Sequence, residues 1–149
     1  MVMKDCGELQ QFVSRAEAVA AKVTRVATRA EADAAVAAAR AAAEADGLSS
    51  GVAHALCGIA STGTCVVATD DEETRLATML PEVSIIVLDA ATIVPDLPDM
   101  APILRERQSA GRATYTSFIT GPSRTADIER VSAIGVHGPL ALHIILIES

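Results

Sequence analysis

The chain has 149 residues, enough for one domain that buries about two-thirds of its unfolded surface without disulfide staples. Half of the residues are hydrophobic, yet aromatics are 2% and Trp is absent, so the core must be Ala, Val, Ile and Leu packed closely. A net charge of −7 and a pI near 4.8 argue against a nucleic-acid partner, which wants a basic stripe; a small anion could still be held locally.

In chain order, Glu8 to Ala21 reads as a helix, with Leu9, Phe12, Val13, Ala16, Val19 and Ala20 at helical spacing. Lys22 to Ala27 alternates polar and apolar residues as a short strand does. Arg29 to Asp46 predicts a second helix, almost wholly Ala, with Glu31 and Asp33 suiting its N-terminal dipole and Gly47 its C′ position. Val36 is its only large apolar residue, so it should pack through small side chains. Gly47 to Gly51 reads as a loop, and His54 falls in loop sequence without an evident partner.

The stretch AHALCGIASTGTCVVATDD then reads as strand, tight turn, strand: Ile59 and Ala60 lead into Ser61-Thr62-Gly63-Thr64, and Cys65 to Ala68 leave it. Asp70 with Glu73 resembles a capping box for a helix that runs to Leu80, shows Leu76, Met79 and Leu80 on one face, and stops at Pro81. Val83 to Asp89 is a near-continuous apolar run, which predicts an interior strand of a parallel sheet. Pro95 and Pro98 mark a loop. Asp99 to Gln108 predicts a helix with Met100, Ile103 and Leu104 inward. Ala113 to Ile119 and Leu140 to Ile147 are strand-like. Strands alternating with helices imply an α/β domain with a mainly parallel sheet layered with helices.

Cys6, Cys57 and Cys65 are odd in number and lack a C-x-x-C spacing, which suits reduced thiols in a cytoplasmic protein. Together with His54, His137 and His143 they form no metal-ligand spacing, so no metal site and no cofactor are expected. The N-terminus has no signal-peptide core, and no apolar run is long enough to span a membrane.

Three stretches carry candidate chemistry. After the strand ending at Ile119, Gly121-Pro122 breaks the backbone. Ser123, Thr125 and Asp127 can bond nearby N–H groups, and Arg124 adds a fork of donors. If a helical turn starts there, its free N–H groups suit a carboxylate or phosphate. The competing reading is a polar turn in which Arg124 pairs with Asp127 or Glu129. His137, before Gly138-Pro139, is placed as either a general acid–base or a turn residue; His143, alternating with Ile145 and Ile147 along the last strand, reads as a satisfied structural or edge histidine. Thr62, Gly63 and Thr64 form either a ligand-contacting turn or a plain hairpin turn.

Taken together, "IASTGTCVVAT", "MLPEVSIIVLDAATIVPDL", "YTSFITGPSRTADIE" and "GVHGPLALHIILIE" resemble the LUD domain, the lactate utilization family, most closely its protein C branch. The resemblance is dense from Ile59 to Glu148 and weaker from Phe12 to Ala45. It implies a single domain over residues 1–149 with a layered α/β fold similar to the NagB/RpiA/CoA-transferase group. It implies a role in bacterial oxidation of L-lactate to pyruvate beside iron–sulfur proteins. Relative to the family pattern, a strand-helix-strand passage is missing between about 46 and 55. The acidic residue usual near the TGT turn is replaced by Ser61 or Ala60.

Three functions follow from this reading. The first is an accessory component of lactate utilization that binds a small anion with Thr62, Gly63, Thr64, Thr116, Ser117, Ser123, Arg124, Thr125 and Asp127. The second is a CoA-transferase-like enzyme on an acyl or phosphate ligand, with Glu129 or His137 as catalytic candidates. The third is a non-catalytic domain acting through oligomer contacts. A homo-oligomer is expected, because a missing passage should expose a sheet edge or apolar face.

Overall fold

The structure is a computed structural model that describes residues 6–69, 71–111, 115–122, 124–125, 133–134 and 139–148. Its centre is a four-stranded sheet made of β1 (Lys22–Val26), β2 (Ser50–His54), β5 (Val83–Asp89) and β10 (Ala141–Ile147), in the order β1-β10-β5-β2. Every pairing in it is parallel. As its apolar run requires, β5 is interior, with β10 on one side and β2 on the other, and Val83 to Leu88 are all buried.

Alternation along these strands sorts side chains onto two faces. Val83, Ile85, Val87, Ile145 and Ile147 pack against Ala32, Ala39 and Ala43 of α2 (Arg29–Ala45). Ile86, Leu88, Leu142, Ile144 and Leu146 face α1 (Cys6–Ala18) and the inner side of a second sheet. On α1, Phe12 and Ala16 are fully buried in this layer. Burying Phe12 contributes about 1.5–3 kcal/mol in a chain with few large side chains.

The second sheet is mixed, in the order β6-β3-β4-β7: β3 (Cys57–Ile59), β4 (Thr64–Thr69), β6 (Ile93–Val94) and β7 (Tyr115–Ile119). Cys65 and Val67 point toward α1, whereas Cys57, Ile59 and Val66 point outward onto Met100 and the inner side of α4 (Ala101–Ser109). Met100, Ile103 and Leu104 are inward as their spacing predicts. A short pair, β8 (Arg124–Thr125) with β9 (Ala133–Ile134), forms a third, two-stranded unit. Among the described residues no helix is long and apolar enough to cross a membrane.

The sequence reading errs where two sheets meet. Ala53 to Ala60 is not one strand. Ala55 N–H still donates to Val87 O of the first sheet, and the next residue, Leu56, donates to Val66 O of the second. The chain changes sheets between adjacent peptides, a step that apolar patterning cannot show because both sheets bury their residues. For the same reason His54 is the exposed last residue of β2, not a loop residue, and Ser50-Gly51 belong to β2. The first helix ends at Ala18, three residues early. In α3 (Glu72–Met79), Leu76 is partly exposed and Leu80, just beyond, is 71% exposed, so these two apolar residues are not buried by the fold; the Met79 side chain lies outside the described residues. The helix is only two turns long and packs mainly near the edge strand β2. Asp70, the expected cap, lies outside the described residues.

Helix ends explain how the strands are aimed. Thr28 Oγ1 accepts from Glu31 N–H and the Glu31 carboxylate accepts from Ala27 N–H, which closes the start of α2. At its far end Gly47, at φ +73°, allows Leu48 N–H to reach Ala43 O and its own N–H to reach Glu44 O. The same paired bonds end α1, from Ala21 to Ala16 and from Ala20 to Glu17, but with Ala20 in the left-handed position at φ 73°.

That conformation costs a non-glycine residue about 1–2 kcal/mol, of which glycine's freer unfolded state offsets about 0.4–1. Ala20→Gly should therefore raise stability by about 0.5–1 kcal/mol in urea unfolding; a loss would show that Ala20 is not strained. The thiols give a second check. Burial, and secondarily the neighbouring Cys57, pushes the Cys65 thiol up to about 12, and burial raises that of Cys57. At roughly pH 8 a thiol reagent should titrate Cys6 alone in native protein and all three cysteines in denaturant. Fast native labelling of Cys57 or Cys65 would contradict their burial.

Candidate functional site

Two turns meet at one end of the second sheet. The first joins β3 to β4 through Ala60-Ser61-Thr62-Gly63. The second, Thr120-Gly121-Pro122, leaves β7 beside β4. The register pairs Cys65 with Ile119, so Thr64 and Thr120 become neighbours.

Both turns press on the last turn of α1. Gly63 sits at φ +68°, and a Cβ there would lie 2.3 Å from Ala16 N and 2.6 Å from Arg15 C. Gly121 sits at φ +72°, and a Cβ there would lie 2.3 Å from Val19 O. These neighbours are backbone and cannot rotate aside. At both positions glycine is required by conformation and by space.

Held in this way, the turns align three hydroxyls. Thr62 Oγ1 and Thr64 Oγ1 are 2.7 Å apart, and Thr64 Oγ1 and Thr120 Oγ1 are again 2.7 Å apart. Thr64 is buried at 4% exposure, while Thr62 and Thr120 are exposed. The row therefore has a buried centre and two ends open to solvent. Each hydroxyl can donate one hydrogen and accept others, so a bond made at one end polarises the rest.

An acidic group stands on the other side of the same turn. Ser61 Oγ donates to Asp96 Oδ1 at 2.8 Å, and Ser61 N–H donates to Pro95 O. Asp96 also accepts from Leu97 N–H and caps the short 3-10 turn Leu97–Met100, with Asp99 reaching back to Asp96 N–H. The Leu97 N–H and then the Ser61 hydroxyl hold its carboxyl below the ordinary range, against a small opposing effect of desolvation. The acid that the resemblance places near the TGT turn is replaced by Ser61 or Ala60, but a carboxylate reaches Ser61 from another segment. Sequence reading missed Asp96 and Thr120. The Asp96-x-x-Asp99 spacing with Pro98 was a legible cap signal; the bond to Ser61, 35 residues away, was not.

Of the residues singled out from sequence, Thr62, Gly63 and Thr64 are together here. Thr116 and Ser117 lie on β7 opposite Ala68 and Val67, and Thr116 is four residues from Thr120, about 13 Å at the rise of a strand. The structure does not bring these two beside the turn. Arg124 and Thr125 are extended and paired with Ile134 and Ala133, so the backbone does not start a helical turn there. The ladder with β9 takes those residues instead. Ser123, Asp127, Glu129 and His137 lie outside the described residues. Among the described residues no group of three or more His, Cys, Asp or Glu could hold a metal ion.

A family model, the LUD domain, matches residues 38–147, well over half of the chain. The chain belongs to the LUD domain family. It is similar to the uncharacterized protein YkgG of Escherichia coli, at 36% identity over 66% of this chain and 43% of that protein. It is also similar to lactate utilization protein C of Geobacillus kaustophilus, at 35% identity over 60% of this chain and 38% of that protein. Lactate utilization protein C 1 of Bacillus mycoides matches at 34% identity over 60% and 39%. This LUD domain thus spans about two-fifths of the length of these curated relatives. A solved DUF162 family protein from Deinococcus radiodurans shares its fold, with a TM-score of 0.70 at 21% identity over 95% of this chain and 96% of that one.

Gly63→Ala tests the turn. It should cost at least about 2–3 kcal/mol, combining a left-handed conformation with a backbone overlap that cannot relax. Denaturant unfolding measures this; a change below the cost of the conformation alone would mean that α1 does not bear on the turn.

Proposed function

We propose that this LUD domain binds a small anion at the TGT and TGP turns, as a component of a bacterial lactate-utilization system. The observation that carries this reading is the hydroxyl row Thr62–Thr64–Thr120, which joins the two turns just before Arg124 in the chain. Exposed hydroxyl donors followed four residues later in the chain by an arginine suit a carboxylate, and lactate and pyruvate are the simplest candidates. The names of the protein C relatives support the lactate assignment. Iron–sulfur proteins are the partners this reading expects, and the fold relation to CoA-transferase-like proteins stays part of the proposal. The link between α2 and β2 is only residues 46–49, and this reading places there the extra passage of longer family members.

The hydroxyls rather than a helix N-terminus are assigned the ligand, since Arg124 stands in extended backbone. Calorimetric titration of wild type with lactate, pyruvate and phosphate is the direct test. Arg124→Ala should weaken binding by about 1.5–3 kcal/mol, and Arg124→Lys should restore part of it because a point charge lacks the fork. Thr64→Val should weaken binding as well, since the end hydroxyls lose their shared partner. If wild type binds none of the three anions, or if Thr64→Val and Arg124→Ala bind as wild type does, the assignment fails.

A further inference from the structure

The face of the first sheet turned away from the hydroxyl row holds a second feature. Toward the start of the strands, α2 and the sheet do not close on each other. Between them is a cleft of about 420 Å³, within the roughly 300–1,000 Å³ usual for small-molecule sites. Its cause is compositional. The helix offers Ala35, Ala38, Ala39 and Ala42 to this gap, side chains too short to fill it. The sheet offers polar residues there, because Lys22, Thr24 and His143 precede the apolar Ile145 and Ile147 on the same face.

The polar groups are arranged with opposite signs at opposite walls. On the sheet side Lys22 is in register with His143, and Thr24 Oγ1 lies 2.7 Å from His143 Nε2. Burial, and then the charge of Lys22, hold His143 below the ordinary histidine range, so the imidazole is neutral near pH 7 and Lys22 supplies the positive charge. On the helix side Asp46 is the C-cap of α2. An acid is misplaced there for the helix itself, since the C-terminal dipole is already negative. Glu44 adds to that sign, and the last turn of α2 contains no basic residue. A cation bound at this end would relieve the excess.

We propose that this cleft binds a zwitterionic aliphatic amino acid. Its carboxylate faces Lys22, its ammonium faces Asp46 at the end of α2, and its side chain lies along the alanines. An apolar acid without an amino group would leave the negative end unmatched, and an amine would leave Lys22 unmatched. The site lies on the other face of the sheet from the TGT turn and does not depend on the function proposed above.

The test uses the purified chain and three probes: L-leucine, 4-methylpentanoate, which lacks the amino group, and 3-methylbutylamine, which lacks the carboxylate. Binding is followed at the His143 ring resonances. Leucine should bind, and each analogue should bind about fivefold more weakly, the scale of one exposed ion pair. Lys22→Met should reduce leucine to the level of the amine. Ala42→Leu, at an exposed helical position lining the cleft, should abolish binding without lowering the melting temperature. The proposal is overturned if leucine does not shift His143, if 4-methylpentanoate binds as tightly as leucine, or if folded Ala42→Leu still binds. Should Ala42→Leu fail to fold, the surface variant Lys22→Met decides.

Discussion

The last turn of α1 lies in backbone contact with two glycine turns, and the end of the second sheet is organised around it. At Gly63 and Gly121 the approach leaves no room for a β-carbon. Backbone-to-backbone contact of this kind cannot be adjusted by rotamers, so it locates α1 and both turns relative to one another. The spacing of Thr62, Thr64 and Thr120 follows from it. So does the path of the chain into β1, because α1 ends in a tight left-handed turn at Ala20 before Lys22 begins its ladder with His143. A change at the end of α1 should therefore be felt at the hydroxyl row, although no α1 side chain belongs to it.

The two faces of the parallel sheet are built differently. Toward α1 and the second sheet the core holds Phe12, Leu88, Ile144 and Leu146 and is closed. Toward α2 the helix contributes only alanines to the buried cluster. Alanine lets a helix approach closely, but it cannot fill space where the sheet beneath turns polar. The closed half of that layer, at Ile145 and Ile147, and the open half, at Lys22 and His143, are the same packing mode meeting different sheet residues. The open half has a charge pattern that the helix alone does not favour, with Asp46 at its negative end.

Around the candidate site, short-range chemistry was legible and long-range pairing was not. The glycine and hydroxyl content of Ser61 to Thr64, and the break at Gly121-Pro122, marked both turns correctly. Nothing local indicates that Thr64 and Thr120, 56 residues apart, share a hydrogen bond, or that Ser61 holds Asp96. Those contacts come from strand register. Register also carries Thr116 up β7, although its residue type is as suitable for a ligand as that of Thr120.

Elements whose physics is local or strongly patterned are legible along the chain. Val83 to Leu88 could only be an interior strand, because an apolar run broken only by Ser84 needs cover on both faces. Arg29 to Ala45 could only be a helix, from propensity and its Gly47 stop. The alternation of such segments was sufficient for a layered α/β fold. Packing of one layer on another sends Ala55 and Leu56 to different sheets, sets β7 antiparallel beside β4, and leaves a cleft under α2. In each case the deciding quantity is the position of one buried surface against another. Residues that are equally apolar in either arrangement carry no record of that position along the chain.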